Sequence, residues 1–364
     1  MVAKRAEEPR LLLLGDARQV HLHRWARYFL DQHWDVLAFS LEESDRFPAP
    51  IRFARVTTAI PHAVRYLLRA PMLRRLVRSF RPHVINAHFL PNYGVLAALA
   101  GRRPWVLSTW GSDVMTNPDR SVFHRWRAGR ILRHAAYVTS DAETMSERIR
   151  SFGVPADRIL TFPLGVDTAV FHPGEEGAAS GPRILSNRKL EPVYGVATLL
   201  DAFPGIHEAQ PQATLTVAGD GSERRYLMQR AARSIGSGAI VFVGTVDHER
   251  MPGLLRENHL YVSMSHSDTT SVSLLEAMAC GLFPIVSDIP ANHEWIEHGR
   301  NGLLVPPGQP MRLALAVVEA WRDADLRRRA RQENARIVRE RAQWSENMRA
   351  VGELFGRLAG EMTG

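Results

Sequence analysis

Short apolar runs alternate along the chain with longer segments in which apolar residues recur every three or four positions. In the first half, the runs Leu11 to Leu14, Val36 to Phe39, Val84 to Ala87, Trp105 to Ser108 and Tyr137 to Ser140 predict strands. Between the first two, Leu22, Trp25, Ala26, Phe29 and Leu30 share one helical face, and the segment Tyr66 to Phe80 has the same period. A second series follows, with strands predicted at Ile184 to Ser186, Thr214 to Ala218, Ile240 to Val243, Leu260 to Met264 and Phe283 to Ser287. After about Met311 the pattern is helical and charged to the end. This alternation predicts an α/β fold of parallel sheets covered by helices, rather than a sandwich or a bundle.

A chain of 364 residues is too long for one ordinary core and fits two domains. The segment 172–182, HPGEEGAASGP, has no apolar period and is the expected linker. The expected division is therefore 1–175 and 176–342, with a final helix over 343–364. With 45% hydrophobic and 23% charged residues the composition is that of a globular protein, neither disordered nor fibrous. The single cysteine, Cys280, rules out an internal disulfide framework or a multi-cysteine metal site and suits a reducing cytoplasm. Four leucines before Gly15 are too few for a signal peptide, and no stretch approaches the roughly 20 apolar residues of a spanning helix. The expected location is cytoplasmic, with any membrane contact peripheral, on the inner face of the plasma membrane.

Charge changes this picture through its distribution. Residues 1–175 hold 25 Lys and Arg against 16 Asp and Glu, a net +9, whereas the remainder holds 21 against 22, a net −1. No acidic residue lies between Asp45 and Asp113, a stretch with eleven arginines. Such a one-sided field can steer an anionic partner. The competing reading is an arginine-rich solvated surface reflecting coding bias, since only Lys4 and Lys189 among the 46 basic residues are lysine.

In an open parallel sheet, ligands gather beyond the carboxyl ends of the strands. Three loops of the second series occupy that position. The first, Ser186 to Gly195, carries Arg188 and Lys189, which would neutralise a diphosphate. The second holds Gly219 and Gly221, which let backbone approach a ligand, although Arg224 stands where a dinucleotide fingerprint has its third glycine. The third, SHSDTTSVSLLEAMACG over 265–281, passes from a polar loop into an apolar helix. Its amides near Ser271, Val272 and Ser273 are a place for phosphate. Asp268 and Glu276 would each accept bonds from a diol. Alternatively, Ser273 and Glu276 form a capping box and Glu276 only caps the helix.

This ordered set of motifs resembles the retaining glycosyltransferases of family 4, which have the GT-B fold: two Rossmann-like α/β domains facing a central cleft. The similarity runs through Arg188 to Gly195, Gly219 to Gly221, Phe242 to Val246 and Asp268 to Gly281, with Phe162 to Asp167, Phe171 and Pro173 before the linker. It implies a nucleotide-diphosphate sugar held by the second domain and an acceptor received by the first, with the final helix crossing back to the first. Glu276 would bind the ribose, Asp268 the transferred sugar, and Arg188 with Lys189 the diphosphate. The backbone of Ser271 and Val272 would meet the distal phosphate, and that of Val246 the base. No cofactor or metal is expected, because positive groups and amides would stabilise the leaving diphosphate. Three positions depart from the family pattern. Tyr194 stands where the family has a lysine, Asp268 where it has a glutamate, and Trp110 where a histidine is common.

First-half candidates are Gly15, on the donor side, and His21, His88, Trp110, Ser112 and Asp113 on the acceptor side, with Asp113 also a candidate for catalysis. A lone histidine such as His21 is more often structural. The expected function is retaining transfer of a sugar to a saccharide or lipid-linked acceptor in bacterial cell-surface glycan synthesis, near an anionic membrane surface. The alternatives are an epimerase or hydrolase of sugar nucleotides, or a non-catalytic nucleotide-binding module. Nucleic acid is not an expected partner, since no aromatic-and-glycine RNA signature is present.

Overall fold

The computed structural model describes residues 8–53, 62–101, 104–175, 180–234 and 238–361. It divides into two compact units, residues 1–162 with 346–364 and residues 163–345. The glycine-rich segment is therefore not the division. Residues 172–175 and 180–182 lie within the second unit, and 176–179 are outside the described residues. The chain is committed to the second unit before that segment. The Val166 amide donates to Ala342 O at 2.8 Å, and Phe171 is buried in the same core as Tyr261 and Leu275.

The first unit is a seven-stranded parallel sheet. Its strands are β1 (Arg10–Leu14), β2 (Asp35–Ser40), β3 (Ile51–Phe53), β4 (Val84–His88), β5 (Trp105–Ser108), β6 (Tyr137–Ser140) and β7 (Ile159–Thr161), in the order β3-β2-β1-β4-β5-β6-β7. The second unit holds six parallel strands: β8 (Arg183–Ser186), β9 (Thr214–Ala218), β10 (Ile240–Gly244), β11 (Leu260–Ser263), β12 (Phe283–Ser287) and β13 (Leu303–Val305). Their order is β10-β9-β8-β11-β12-β13. All ten expected strands form. The three not anticipated, β3, β7 and β13, are three-residue strands at sheet edges, too short to show a period.

The central strands are buried on both faces, as their unbroken apolar sequence requires; Leu11 to Leu14 have no exposed surface. The helix Val20–Asp31 buries the stripe Leu22, Trp25, Ala26 and Phe29. Residues 346–361 of the last helix, Trp344–Glu361, belong to the first unit, where Phe355 stacks on Phe29 with centroids 5.0 Å apart.

Each sheet reverses its strand order once, between β1 and β4 in the first unit and between β8 and β11 in the second. At such a switch point the following loops diverge to opposite faces and leave a crevice at the carboxyl ends. The loops after β1, β8 and β11 carry Gly15, Arg188 and Asp268, and neighbouring loops after β5, β9 and β10 carry Trp110, Gly219 and Val246.

Candidate active site

In the second unit the loop after β8 and the loop after β11 meet at Arg188. Its side chain is buried, and its Nη2 donates to Asp268 Oδ2 at 2.6 Å. Nη1 donates to the hydroxyls of Ser271 and, at 2.8 Å, Ser273. The Tyr194 ring lies against the guanidinium, 4.3 Å from its carbon, and Tyr261 Oη is 3.0 Å from Ser273 Oγ. Burial opposes the charge of Arg188, but Asp268, Tyr261 and Tyr194 outweigh it and hold its pKa above the ordinary value. The guanidinium stays charged in a desolvated place where its field is strong. Its Nε is buried and meets no acceptor.

Arg188 is buried and Lys189 exposed, so the two adjacent cations face different ways. The expected pair is thus split: Arg188 stands in the site, whereas Lys189 is exposed. Gly219 and Gly221 sit beside this loop for steric reasons. A Cβ on Gly219 would lie 2.5 Å from Arg188 O, and one on Gly221 2.3 Å from Leu190 O. These glycines shape the site by packing loop on loop.

The helix Val272–Ala279 starts here. Its N-cap is Ser271, whose hydroxyl accepts from the Leu274 amide at 3.3 Å. The cap position excludes the Ser273–Glu276 capping box, since the residue three after the cap is Leu274. Glu276 lies on the second turn, buried, with Oε1 3.7 Å from His248 Nδ1. His248, in the loop after β10, also packs its ring 5.1 Å from Phe171. Val246, in the same loop, packs against the core that includes Leu274 and Leu275. Neither His248 nor Tyr261 carries a motif, and the stacking role of Tyr194 had no sequence signal beyond its departure from the family lysine.

In the first unit, Gly15, His21, His88 and Trp110 come together at the β1/β4 switch point. Trp110 stacks on His21 (4.9 Å, 16°) and on His88 (5.5 Å, 21°). A Cβ on Gly15 would lie 3.4 Å from that of His88. Asp113 is fully buried, with one carboxylate oxygen accepting from the Trp110 amide (2.9 Å) and the other from the Leu90 amide (3.0 Å). Burial pushes its pKa up to about 6, against the pull of these amides. Burial, reinforced by His21, pushes the His88 imidazole down to about 3. Both groups are buried in this structure, Asp113 with no exposed surface and His88 at 4%. Asp113 ties the Trp110 loop to the start of the segment after β4, and His88 is the neutral floor under Trp110. His21 and Trp110 are half-buried and Ser112 is exposed. Among the described residues no group of three or more His, Cys, Asp or Glu is placed to hold a metal ion.

The comparisons with known proteins bear on both units. Residues 172–337 match the family model described as glycosyl transferases group 1, and residues 10–142 match glycosyl transferase 4-like. Together these matches support a glycosyltransferase of the group 1 type. Glycogen synthase of Mycobacterium tuberculosis is 28% identical over 321 residues, 82% of this chain and 74% of that protein. A phosphatidyl-myo-inositol mannosyltransferase of Mycobacterium leprae is 32% identical over 160 residues, 43% of this chain and 41% of that one. Among solved structures, the sucrose-phosphate synthase of Thermosynechococcus elongatus superposes with a TM-score of 0.84 at 17% identity, covering 97% of this chain and 100% of that one. Anabaena HepE in complex with UDP and glucose gives 0.79 at 20% identity, covering 96% and 100%. The chain thus has the GT-B fold, in two parallel α/β units.

Proposed function

We propose that this enzyme is a retaining transferase of family 4 that moves a sugar from a nucleotide-diphosphate sugar, held by the second unit, to a saccharide or lipid-linked acceptor received by the first. The observation that carries this reading is Arg188: a buried guanidinium, fixed by four side chains beside a helix start, with a buried Nε that lacks an acceptor. A leaving diphosphate needs charge and donors that are already in place, since reorganising them during reaction would raise the barrier. Arg188 and the amides at Ser271 and Val272 supply both, so the mechanism assigned here routes no charge through a metal. Glu276, freed of a capping role, accepts the ribose hydroxyls, and the Val246 backbone meets the base. Asp268 turns from Arg188 toward the transferred sugar. On the acceptor side the open groups are His21, Trp110 and Ser112, and Gly15 would allow the donor a close approach. HepE, which shares the fold, has been seen with UDP and glucose.

The proposed setting is cell-surface glycan synthesis at an anionic membrane. Support comes from the helix His62–Phe80, where exposed Leu67, Leu68 and Met72 lie among Arg74, Arg75 and Arg78. Arg55, Arg102 and Arg103 of the acid-free stretch lie outside the described residues. No helix among the described residues is long and apolar enough to cross a membrane. Sedimentation with anionic liposomes at low salt tests this setting, and absence of binding refutes it. The reaction is tested by a thermal-shift panel of UDP-, GDP-, ADP- and dTDP-sugars, since a ligand of the folded state alone must raise stability. Binding of none refutes the donor assignment. Turnover of a bound donor without acceptor would favour an epimerase or hydrolase, and binding without turnover a non-catalytic module.

A further inference from the structure

The opposite end of the second sheet holds a cluster that the reaction does not use. At the amino ends of the neighbouring strands β8, β11 and β12, a narrow depression with room for about 30 Å³ is lined by Arg183, Arg256, Arg327 and Arg331, with His259 and Glu175. The helix Val272–Ala279, which starts at the Arg188 cluster, ends here, where Gly281 packs against Arg331.

Carbonyl oxygens hold three of the guanidiniums in place. Arg183 Nε donates to Glu257 O, Arg327 Nη1 to Ala320 O (2.6 Å) and Trp321 O, and Arg331 Nη2 to Gly174 O. Arg327 also lies over the Trp321 ring, 4.6 Å from its centroid. Arg256 Nη1 is 3.5 Å from His172 Nε2. Carbonyls fix a guanidinium in place without cancelling its charge, and each arginine has five N–H donors, more than these bonds consume. Among the described residues, Arg183, Arg256 and Arg331 make no ion pair with a carboxylate. Among the described residues, the one acidic residue lining the depression, Glu175, is exposed. Four like charges gathered at one site repel one another unless an anion joins them. Their field is already felt: burial first, then Arg183 and Arg327, push His259 down to about 4, leaving it neutral. Its Nδ1 accepts from the Arg183 amide at 3.1 Å, so the remaining proton is on Nε2, a further donor.

We infer that this depression is a second anion site, built for a phosphate group and remote from the nucleotide-sugar site at the other end of the sheet. Planar guanidiniums held by fixed carbonyls match phosphate oxygens in pairs, and their orientation costs little at the moment of binding. Calorimetric titration of the full chain at constant ionic strength with inorganic phosphate, glucose 6-phosphate and glucose tests it. Phosphate or its ester should bind saturably and glucose should not; tighter binding of the ester would identify an organic part that is also read. The double variant Arg256→Gln, Arg331→Gln should weaken that binding about tenfold or more, because two charge-assisted contacts are lost. Glu175→Gln, an exposed change that spares the fold, should tighten it about threefold by removing a like charge from the ligand's surroundings. The inference is overturned by anion binding no stronger than that of chloride, by a folded double variant that binds within about twofold of the parent, or by unchanged affinity in Glu175→Gln.

Discussion

Replacing Arg188 by methionine removes the group on which both loops of the second unit converge. The variant loses the bonds to Asp268 (2.6 Å), Ser273 (2.8 Å) and Ser271 and the stack on Tyr194. It also leaves Asp268, whose side chain is 16% exposed, without its counter-charge. Breaking a buried pair by removing one partner costs about 3–5 kcal/mol, and the partial exposure of Asp268 places this case near the lower end, at about 3 kcal/mol. For a unit of this size each kcal/mol moves the midpoint by about 2–4 °C, so the unfolding temperature should fall by roughly 6–12 °C. Asp268→Leu should cost as much, since it strands the guanidinium instead. The double variant Arg188→Met, Asp268→Leu should return to within about 1 kcal/mol of the parent, because apolar residues of similar volume replace a buried ion pair with little loss. The two single effects are therefore strongly non-additive. Nucleotide-sugar binding should be lost in all three variants, recovered stability notwithstanding. Calorimetric melting paired with donor titration separates these outcomes. A single Arg188→Met variant that melts within about 2 °C of the parent refutes the structural reading, and a stable double variant that still binds donor refutes the functional one.

Glu276→Ala should lower donor affinity about tenfold or more with little change in melting, whereas Ser271→Ala, which removes the true N-cap, should cost about 1 kcal/mol of stability by denaturant titration. Equal melting losses in both would restore a capping role for Glu276. Gly219→Ala should destabilise by about 1–3 kcal/mol, since its new methyl would meet Arg188 O at 2.5 Å in a backbone with φ of +137°; a variant as stable as the parent would show that the loops are not closely packed. The two buried groups of the first unit should pull stability in opposite directions with pH. His88, lowered from 6.5 to about 3, contributes stability that is full above pH 6.5 and is lost as pH falls toward 3, because the unfolded chain takes up the proton first. Asp113, raised from 3.8 to about 6, contributes stability that is full below 3.8 and is lost as pH rises through 6. Urea unfolding at pH 7 and pH 5 should therefore show a smaller loss on acidification in His88→Leu than in the parent, and a larger one in Asp113→Asn. Identical pH slopes in the three proteins would refute both assignments.

The apolar runs by themselves determined the α/β class and ten of the strands, because a strand buried on both faces must be apolar at every position, as Leu11 to Leu14 are. Chain order then placed Arg188, Gly219 and Asp268 in loops after strands and Ser271 and Glu276 on the helix that follows, and topology brought Arg188 and Asp268 into contact at the β8/β11 switch point. Tertiary packing decided the rest. Which of two adjacent cations faces inward depends on what the other loop offers, and Asp268, Ser271, Ser273 and Tyr194 selected Arg188 over Lys189. The division of the chain followed the burial of Phe171 and the pairing of Val166 with Gln343, which no glycine count reveals. Asp113 has the residue type and position of a catalytic group, yet the amides of Leu90 and Trp110 reach it first and burial closes it off. The edge strands escaped notice because three residues carry no period. Residue type and spacing reveal where chemistry is possible; the direction of a side chain and its access to solvent arise from contacts between distant segments.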